Sequence, residues 1–282
     1  MRHLNIVLLG ALASALDLRY TPSGTPIAEF TLAGELTRAR HDTGAGEAIQ
    51  LPFYVQCSVV GKSAENLAER NYQPGDVLMV TGEPQYEAWK NAVGVQRSTV
   101  RVRALNVERV AGEFETVTDK GGFLRMVGGV NSATFIGHLT DDVKVTVTPS
   151  GDKVVNYRVG VNDSYTARGE TVERTHWFDC TAWREQAEAL EGMKKGEPVL
   201  VLDAALSRDT YPDKNGEPVN RRYFEVTQNI ALLNRPVKEG QARRAASAPK
   251  RQPQPAAPQE APYVPDIEPA SAAASLPTDA PW

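Results

Sequence analysis

The chain has few of the residues that hold metals or disulfides. Its 282 residues include two cysteines and four scattered histidines, and no zinc-ligand spacing fits them. No apolar run is long enough to cross a membrane. Cys57 and Cys180 lie at equivalent places in an internal repeat, which favours two buried thiols over a disulfide. We therefore expect no metal site, no disulfide and a cytoplasmic protein.

The chain also lacks the residue sets of an enzyme. It has no nucleophile with a nearby base and no glycine-rich phosphate loop. The carboxylates at Asp141, Asp142 and in segment 41–47 lie in turn-like sequence, where such groups are usually solvated. We expect no catalysis and no cofactor. The net charge of −4 neither supports nor excludes nucleic-acid binding, because the charge that matters is local.

One turn sequence occurs twice. Thr-Pro-Ser-Gly stands at 21–24 and again at 148–151, and Gly10 and Gly137 precede the two turns at the same offset. Segment 177–190 similarly follows segment 53–67 in order and approximate spacing. The chain is therefore a tandem duplication, and each unit is long enough to bury a core.

The first residues resemble a secretory signal. They combine a basic start, an apolar run and Ala13-Ser14-Ala15. A similar segment recurs at 131–139, deep inside the chain, so a first strand is the better interpretation.

Each unit shows the pattern of a small all-β barrel. Apolar and polar residues alternate in 27–34, 99–107 and 154–161, as in half-buried strands. A short helix is predicted at 63–70 with Ser63 as its N-cap, and its counterpart at 184–193. Five strands and one helix between the third and fourth fit an OB-fold barrel. An unrelated small β-barrel remains open on this pattern alone.

The composition divides the chain into four parts. We predict an N-terminal OB fold at 1–111 and a C-terminal OB fold at 130–235. Residues 112–129 between them are charged and contain glycine, which is typical of a linker or loose hairpin. Residues 236–282 are rich in proline and alanine with scarcely any large apolar residues, and we predict a disordered tail.

Aromatic and basic side chains interleave in both units, as in surfaces that stack bases and neutralise phosphates. Trp177 and Trp183 are six residues apart on one predicted strand and so point the same way, opposite to Cys180. If the cysteine is inside, both tryptophans are outside. Phe178 is favoured as core and Phe53 is open between core and surface. Of Tyr223 and Phe224, one must face in and one out.

Several motifs resemble bacterial single-stranded DNA-binding protein. They are 16–35, 59–67 (VVGKSAENL), 74–89 and, in the second unit, 176–190. The resemblance covers about 1–110 and 131–233. It implies the smaller class with two OB folds per chain, which forms homodimers presenting four OB folds.

The resemblance also implies base-stacking positions. Tyr54 and Trp177 match the first, Trp183 the second, Trp89 and Tyr211 the third, and Tyr165 the fourth. The first unit has Val60 where the second has Trp183, so that stacking position is missing there. It also has no aromatic between Phe30 and Phe53, so we expect it to bind more weakly or mainly to support the assembly. The full predicted DNA-binding set is Tyr54, Lys62, Tyr86, Trp89, Arg97, Arg101, Arg103, Tyr165, Arg168, Trp177, Trp183, Arg184, Tyr211, Arg221 and Arg222.

The implied function is sequence-independent binding and protection of single-stranded DNA in replication, recombination and repair, at the nucleoid. The tip, with Asp279, Pro281 and Trp282, is less acidic than is usual in the family but is expected to recruit replication and repair proteins. Two alternatives stay open. One is a binder of structured RNA or oligosaccharide, because OB barrels serve both. The other is a specialised scaffold with weak DNA affinity.

Overall fold

The computed structural model describes residues 3–39, 48–90, 94, 96–167, 170–212 and 218–231. The first unit contains six strands and one helix. In chain order they are β1 (Leu4–Leu12), β2 (Asp17–Tyr20), β3 (Pro26–Ala39), β4 (Ala48–Val60), α1 (Lys62–Glu69), β5 (Val77–Lys90) and β6 (Gln96–Arg109).

A short hairpin and a second unit of the same design follow. The hairpin consists of β7 (Thr116–Thr118) and β8 (Leu124–Met126). The second unit runs through β9 (Val130–Leu139), β10 (Thr146–Val147), β11 (Lys153–Ala167), β12 (Glu170–Trp183), α2 (Glu185–Glu188), β13 (Pro198–Pro212) and β14 (Pro218–Ala231).

Each unit closes into a barrel by the same pairings. In the first, β1 pairs with both β3 and β5, and β3–β4 and β5–β6 are antiparallel. A short parallel contact between β4 and β6, with Cys57 opposite Val102, completes the ring. The second unit repeats this, down to the parallel pair Cys180 and Phe224. The predicted tandem OB folds are confirmed, with β2 and β10 as additional short edge strands.

The barrel cores follow the period of two. Phe53, left open by the sequence, is buried, as are Phe178 and Phe224. In the second barrel the rings of Phe135, Phe178 and Phe224 pack with centroids 5.1–5.2 Å apart. Phe224 therefore faces in and Tyr223 out, which fixes the orientation of the whole terminal strand.

Both helices begin or end differently from the prediction. Gly61, with φ of 79°, occupies the cap position of α1, and no side chain caps the helix, so Ser63 as N-cap is wrong. The helix predicted at 184–193 is also wrong in length, because α2 ends at Glu188. Beyond it the amides of Leu190, Glu191 and Met193 bond three residues back, which tightens the chain into turns.

Long hairpins rise from both barrels by way of bulges. The register of β5 with β6 shifts at Gly82, where an added Cβ would lie 2.2 Å from the Arg103 carbonyl oxygen. The register of β13 with β9 shifts between Val201 and Ala204, where Asp203 has φ of 48°. A bulge bends its strand, so both hairpins leave their barrels and reach across the molecule.

The two barrels share one sheet. Strand β1 pairs antiparallel with β9, from Leu4 opposite Phe135 to Leu9 opposite Val130. This ladder joins the strands of both barrels into a single sheet of twelve. The segment expected to be a linker or loose hairpin is a hairpin, and Met126 on β8 is buried against Ala11 and Val77.

The helices in the described part of the chain are too short and polar for a membrane span.

We expect both thiols to be inert in the native protein. Cys57 and Cys180 are fully buried, and desolvation raises the pKa of each thiol well above its usual range. The thiolate is the reactive form. After iodoacetamide treatment at pH 8, mass spectrometry should show no carbamidomethyl groups on the native protein and two on the protein unfolded in urea. Rapid modification in native buffer would contradict the burial of these cysteines.

Candidate nucleic-acid interface

The outer face of β12 carries two exposed tryptophans. Trp177 is 41% and Trp183 42% exposed, while Cys180 between them is fully buried. Alternation along a regular strand places the odd-numbered residues here on one face. The prediction that both tryptophans face outward is confirmed. They are large apolar surfaces in contact with solvent on one strand of the second barrel.

Trp177 lies flat because the neighbouring strand has no side chain beneath it. Its partner across the β11–β12 ladder is Gly160. A Cβ on Gly160 would approach the Trp177 ring to 2.9 Å. The glycine thus leaves room for the indole to lie against the sheet.

Between the tryptophans, one carboxylate holds two arginines. Asp179 accepts a 2.7 Å bond from Arg158 Nε, and Arg221 Nε lies 3.8 Å from its other oxygen. The Arg221 guanidinium also lies 5.1 Å from the centroid of the Tyr223 ring. Sequence reasoning omitted Arg158 and Tyr223 from the predicted set. Strand alternation could have found both: Arg158 lies between the inward residues Tyr157 and Val159 of β11, and Tyr223 precedes the inward Phe224.

Arg184 follows Trp183 in an unusual backbone conformation. Arg184 has φ of 54° and ψ of −121°. It precedes α2 as Gly61 precedes α1 in the first unit. A non-glycine residue with positive φ is strained. Its guanidinium pairs with Asp152 at 2.8 Å, in the turn that repeats Thr-Pro-Ser-Gly. The predicted DNA-binding charge of Arg184 is thus already engaged.

The hairpin aromatics are also exposed. Trp89 near the end of β5 is 43% exposed and Tyr211 near the end of β13 is 47% exposed. Trp89 stands directly opposite Arg97 on β6, so an indole and a guanidinium share this part of the hairpin. Tyr211 stands opposite Val219.

The first barrel presents a different face. Tyr54 is half-buried, and its hydroxyl donates a 2.5 Å bond to Asp119 of the β7–β8 hairpin and receives one from Arg125. Burial, together with the bond to Asp119, raises the pKa of the Tyr54 phenol. Val60, in the place of Trp183, is exposed. Among the residues described, this strand therefore offers one tethered aromatic where β12 offers two exposed ones.

The predicted DNA-binding cations of the first barrel differ in their surroundings. Arg101 pairs with Glu29 at 3.0 Å and lies 3.6 Å from Glu87, whereas Lys62 and Arg103 are exposed.

Each long hairpin contacts a strand of the other barrel, β5 with β12 and β14 with β4. The backbone N–H of Tyr86 on β5 donates to His176 Nδ1 on β12 at 3.1 Å, and Arg174 donates to the Tyr86 carbonyl at 2.9 Å. In the reverse direction, Arg222 on β14 donates to the Tyr54 carbonyl at 2.9 Å. Strands β12 and β4 are therefore each bordered by a hairpin from the other barrel.

Some predicted positions lie outside the described residues. They are Arg168, the Tyr165 side chain and the tail 236–282 with Asp279, Pro281 and Trp282.

Fold and surface together define a class: a tandem OB-fold protein whose exposed aromatics and arginines suit single-stranded nucleic acid. Comparison with protein families matches the single-strand binding protein family at residues 4–110 and 130–233. The chain belongs to this family.

Named relatives and solved structures agree with this assignment. The chain is 37% identical over 229 residues to a single-stranded DNA-binding protein of Deinococcus radiodurans, covering 81% of this chain and 75% of the relative. It is 32% identical over 245 residues to that of Thermus aquaticus, covering 86% and 88%. A crystal structure of the wild-type Thermus aquaticus protein aligns with a TM-score of 0.66 and 26% identity, over 86% of this chain and 98% of that one.

We expect Gly160→Ala to displace Trp177, because the new methyl group would overlap the ring. The variant should fold, with altered tryptophan emission and weakened binding of oligo-dT. A Trp177→Leu background supplies the control, since Gly160→Ala should change binding little once the indole is gone. Equal effects of the substitution in both backgrounds would contradict the contact.

Proposed function

We propose that this protein binds single-stranded DNA without sequence preference, by stacking bases on aromatic rings and neutralising phosphates. The observation that carries the proposal is the pair of exposed tryptophans, Trp177 and Trp183, on one strand with arginines between them. Stacking tolerates any sequence because every base has a π-face. Homologues named single-stranded DNA-binding protein support the same ligand.

The two barrels would contribute unequally. The second barrel has two exposed indoles, and the first has Val60 and a tyrosine whose hydroxyl is tethered to Asp119. We assign the tighter contacts to the second barrel. Trp89 and Arg97 on the long hairpin of the first barrel would continue the path.

The wider role follows from the ligand. A protein that holds single strands without preference would shield them during replication, recombination and repair, at the nucleoid and without catalysing a reaction. The segment with Pro281 and Trp282 would recruit partner proteins through its aromatic ring.

A second copy of the chain would cover the outer face of strands β5, β1, β9, β13 and β14, where the two barrels join. Two apolar rows run across its strands, Met79–Leu9–Val130 and Ile136–Leu200–Ile230. Met79, Val130 and Ile230 are 37–42% exposed. Leu9, Ile136 and Leu200 are partly exposed, and exposed apolar rows of this kind are typical of an interface. Since Leu9 and Ile136 occupy equivalent places in the repeat, the face is nearly self-complementary, which suits a two-fold homodimer with four barrels.

Removing either tryptophan should weaken DNA binding and preserve the fold. Trp177→Ala and Trp183→Ala should each reduce oligo-dT affinity by about 1–3 kcal/mol, because one stacked base is lost. Val60→Ala, at the position equivalent to Trp183, is the matched control and should change little. Titrations following tryptophan emission at two salt concentrations measure the affinities.

The same titration separates the alternatives. We expect strong quenching by oligo-dT that weakens with salt, and less by RNA of equal length or by duplex DNA. RNA binding as tight as DNA binding would favour an RNA protein. A folded protein that no oligonucleotide quenches would favour the scaffold.

Charge on the sheet face should disrupt the dimer. Val130→Glu and Ile230→Glu would place carboxylates in the proposed interface, where burial of an unpaired charge is costly. Light scattering should give a dimer for the native chain and a monomer for the double variant. Val147→Glu, at an exposed position on the edge strand β10, is the control and should remain dimeric. A native monomer would overturn the four-barrel particle.

A further inference from the structure

Two arginines stand directly opposite each other at the base of the second hairpin. Arg208 on β13 is the register partner of Arg222 on β14. Like charges directly across an antiparallel ladder destabilise it. Such a pair therefore needs a compensating feature.

The surroundings do not supply that compensation. Arg222 donates to the Tyr54 carbonyl, and Arg208 uses Nε and Nη2 on the Asn220 side-chain oxygen at 3.1 and 2.7 Å. Both acceptors are neutral. Within the described ranges, no carboxylate lies within ion-pair distance of either guanidinium. Asp209, next to Arg208 in the chain, accepts a bond from Tyr223. Asp179 pairs with Arg158 and Arg221.

Desolvation makes the cost larger. Burial, followed by the charges of Arg208 and Arg101, lowers the pKa of Arg222 to about 10. Burial also lowers the pKa of Arg208. A buried charge without an opposite partner is expensive. As whole residues, Arg208 and Arg222 are half-buried and not fully enclosed.

We propose that Arg208 and Arg222 form a phosphate site at the junction of the two barrels, which takes one backbone phosphate of the bound single strand. This site rests on the proposed DNA-binding function and deepens it. A phosphate between the two guanidiniums would accept bonds from both forks and cancel their repulsion.

The location fits a strand passing from one barrel to the other. Arg222 donates a hydrogen bond to the backbone of Tyr54 on β4 of the first barrel. Its chain neighbour Arg221 points to the opposite face of β14 and borders the face that carries Trp177, through Asp179. Tyr211, three residues beyond Arg208, lies on that same outer face of the hairpin. A single strand stacked on the outer face would reach the two arginines by passing around the edge of the hairpin.

Arg208→Gln tests the site without cutting the contact between barrels, because the described bonds of Arg208 stay within its own hairpin. Oligo-dT affinity is measured from 50 to 200 mM salt. Loss of one phosphate contact should flatten the log–log slope by about 0.7, so the native protein loses about 2.6-fold more affinity over this range. Arg109→Gln, which removes an arginine paired with Asp76, is the charge-matched control and should keep the native slope.

Two further arms identify the occupant. With methylphosphonate-substituted dT, which lacks backbone charge, native protein and Arg208→Gln should bind equally. Arg208→Lys should recover most of the slope, since it restores the charge.

If Arg208→Gln and Arg109→Gln give the same slope as the native protein, the junction site is overturned and DNA binding stands. Thermal stabilisation by inorganic phosphate with an unchanged dT slope would also overturn it, by showing a site for small anions alone. Native protein that fails to bind dT would overturn the underlying function instead.

Discussion

The antiparallel ladder between β1 and β9 is the constraint on which the rest of the molecule depends. It pairs one edge of each barrel with the other, from Leu4 opposite Phe135 to Leu9 opposite Val130, and so removes two exposed edges. It also fixes the relative rotation of the barrels. In that arrangement each long hairpin contacts a strand of the other barrel, through the bonds of Tyr86 to His176 and of Arg222 to Tyr54.

Duplication has preserved this frame while the binding faces have diverged. Gly61 and Arg184 occupy the same turn with similar positive φ, and the arginine retains the geometry at the cost of strain. Val60 and Trp183 precede them on the same outward phase. The backbone requirement is therefore common to both units, whereas the outward side chains, which the core does not constrain, were free to specialise.

Features that follow from residue alternation along a strand, or from the internal repeat, could be predicted from the sequence. Alternation predicted the strands, the repeat predicted two barrels, and the phase of Cys180 predicted the outward tryptophans. Contacts between units were beyond it, because Arg222 and Tyr54 are 168 residues apart and no local pattern links them. The helix ends failed for a related reason. Ser63 suits an N-cap by residue type, but the strand–helix turn requires positive φ one position earlier than the helix, which Gly61 supplies.

The acidic balance of the chain is compatible with a phosphate-binding face once its arrangement is considered. Asp179 holds Arg158 at 2.7 Å in the second barrel, and Glu29 holds Arg19 at 2.5 Å and Arg101 at 3.0 Å in the first. A long side chain fixed in this way has less rotamer freedom to lose when a ligand arrives. The carboxylates reduce the net attraction for DNA, yet Asp179 orients Arg158 and Arg221 beside the proposed stacking surface of Trp177 and Trp183. Binding would then depend more on the placement of a few cations than on the total charge of −4.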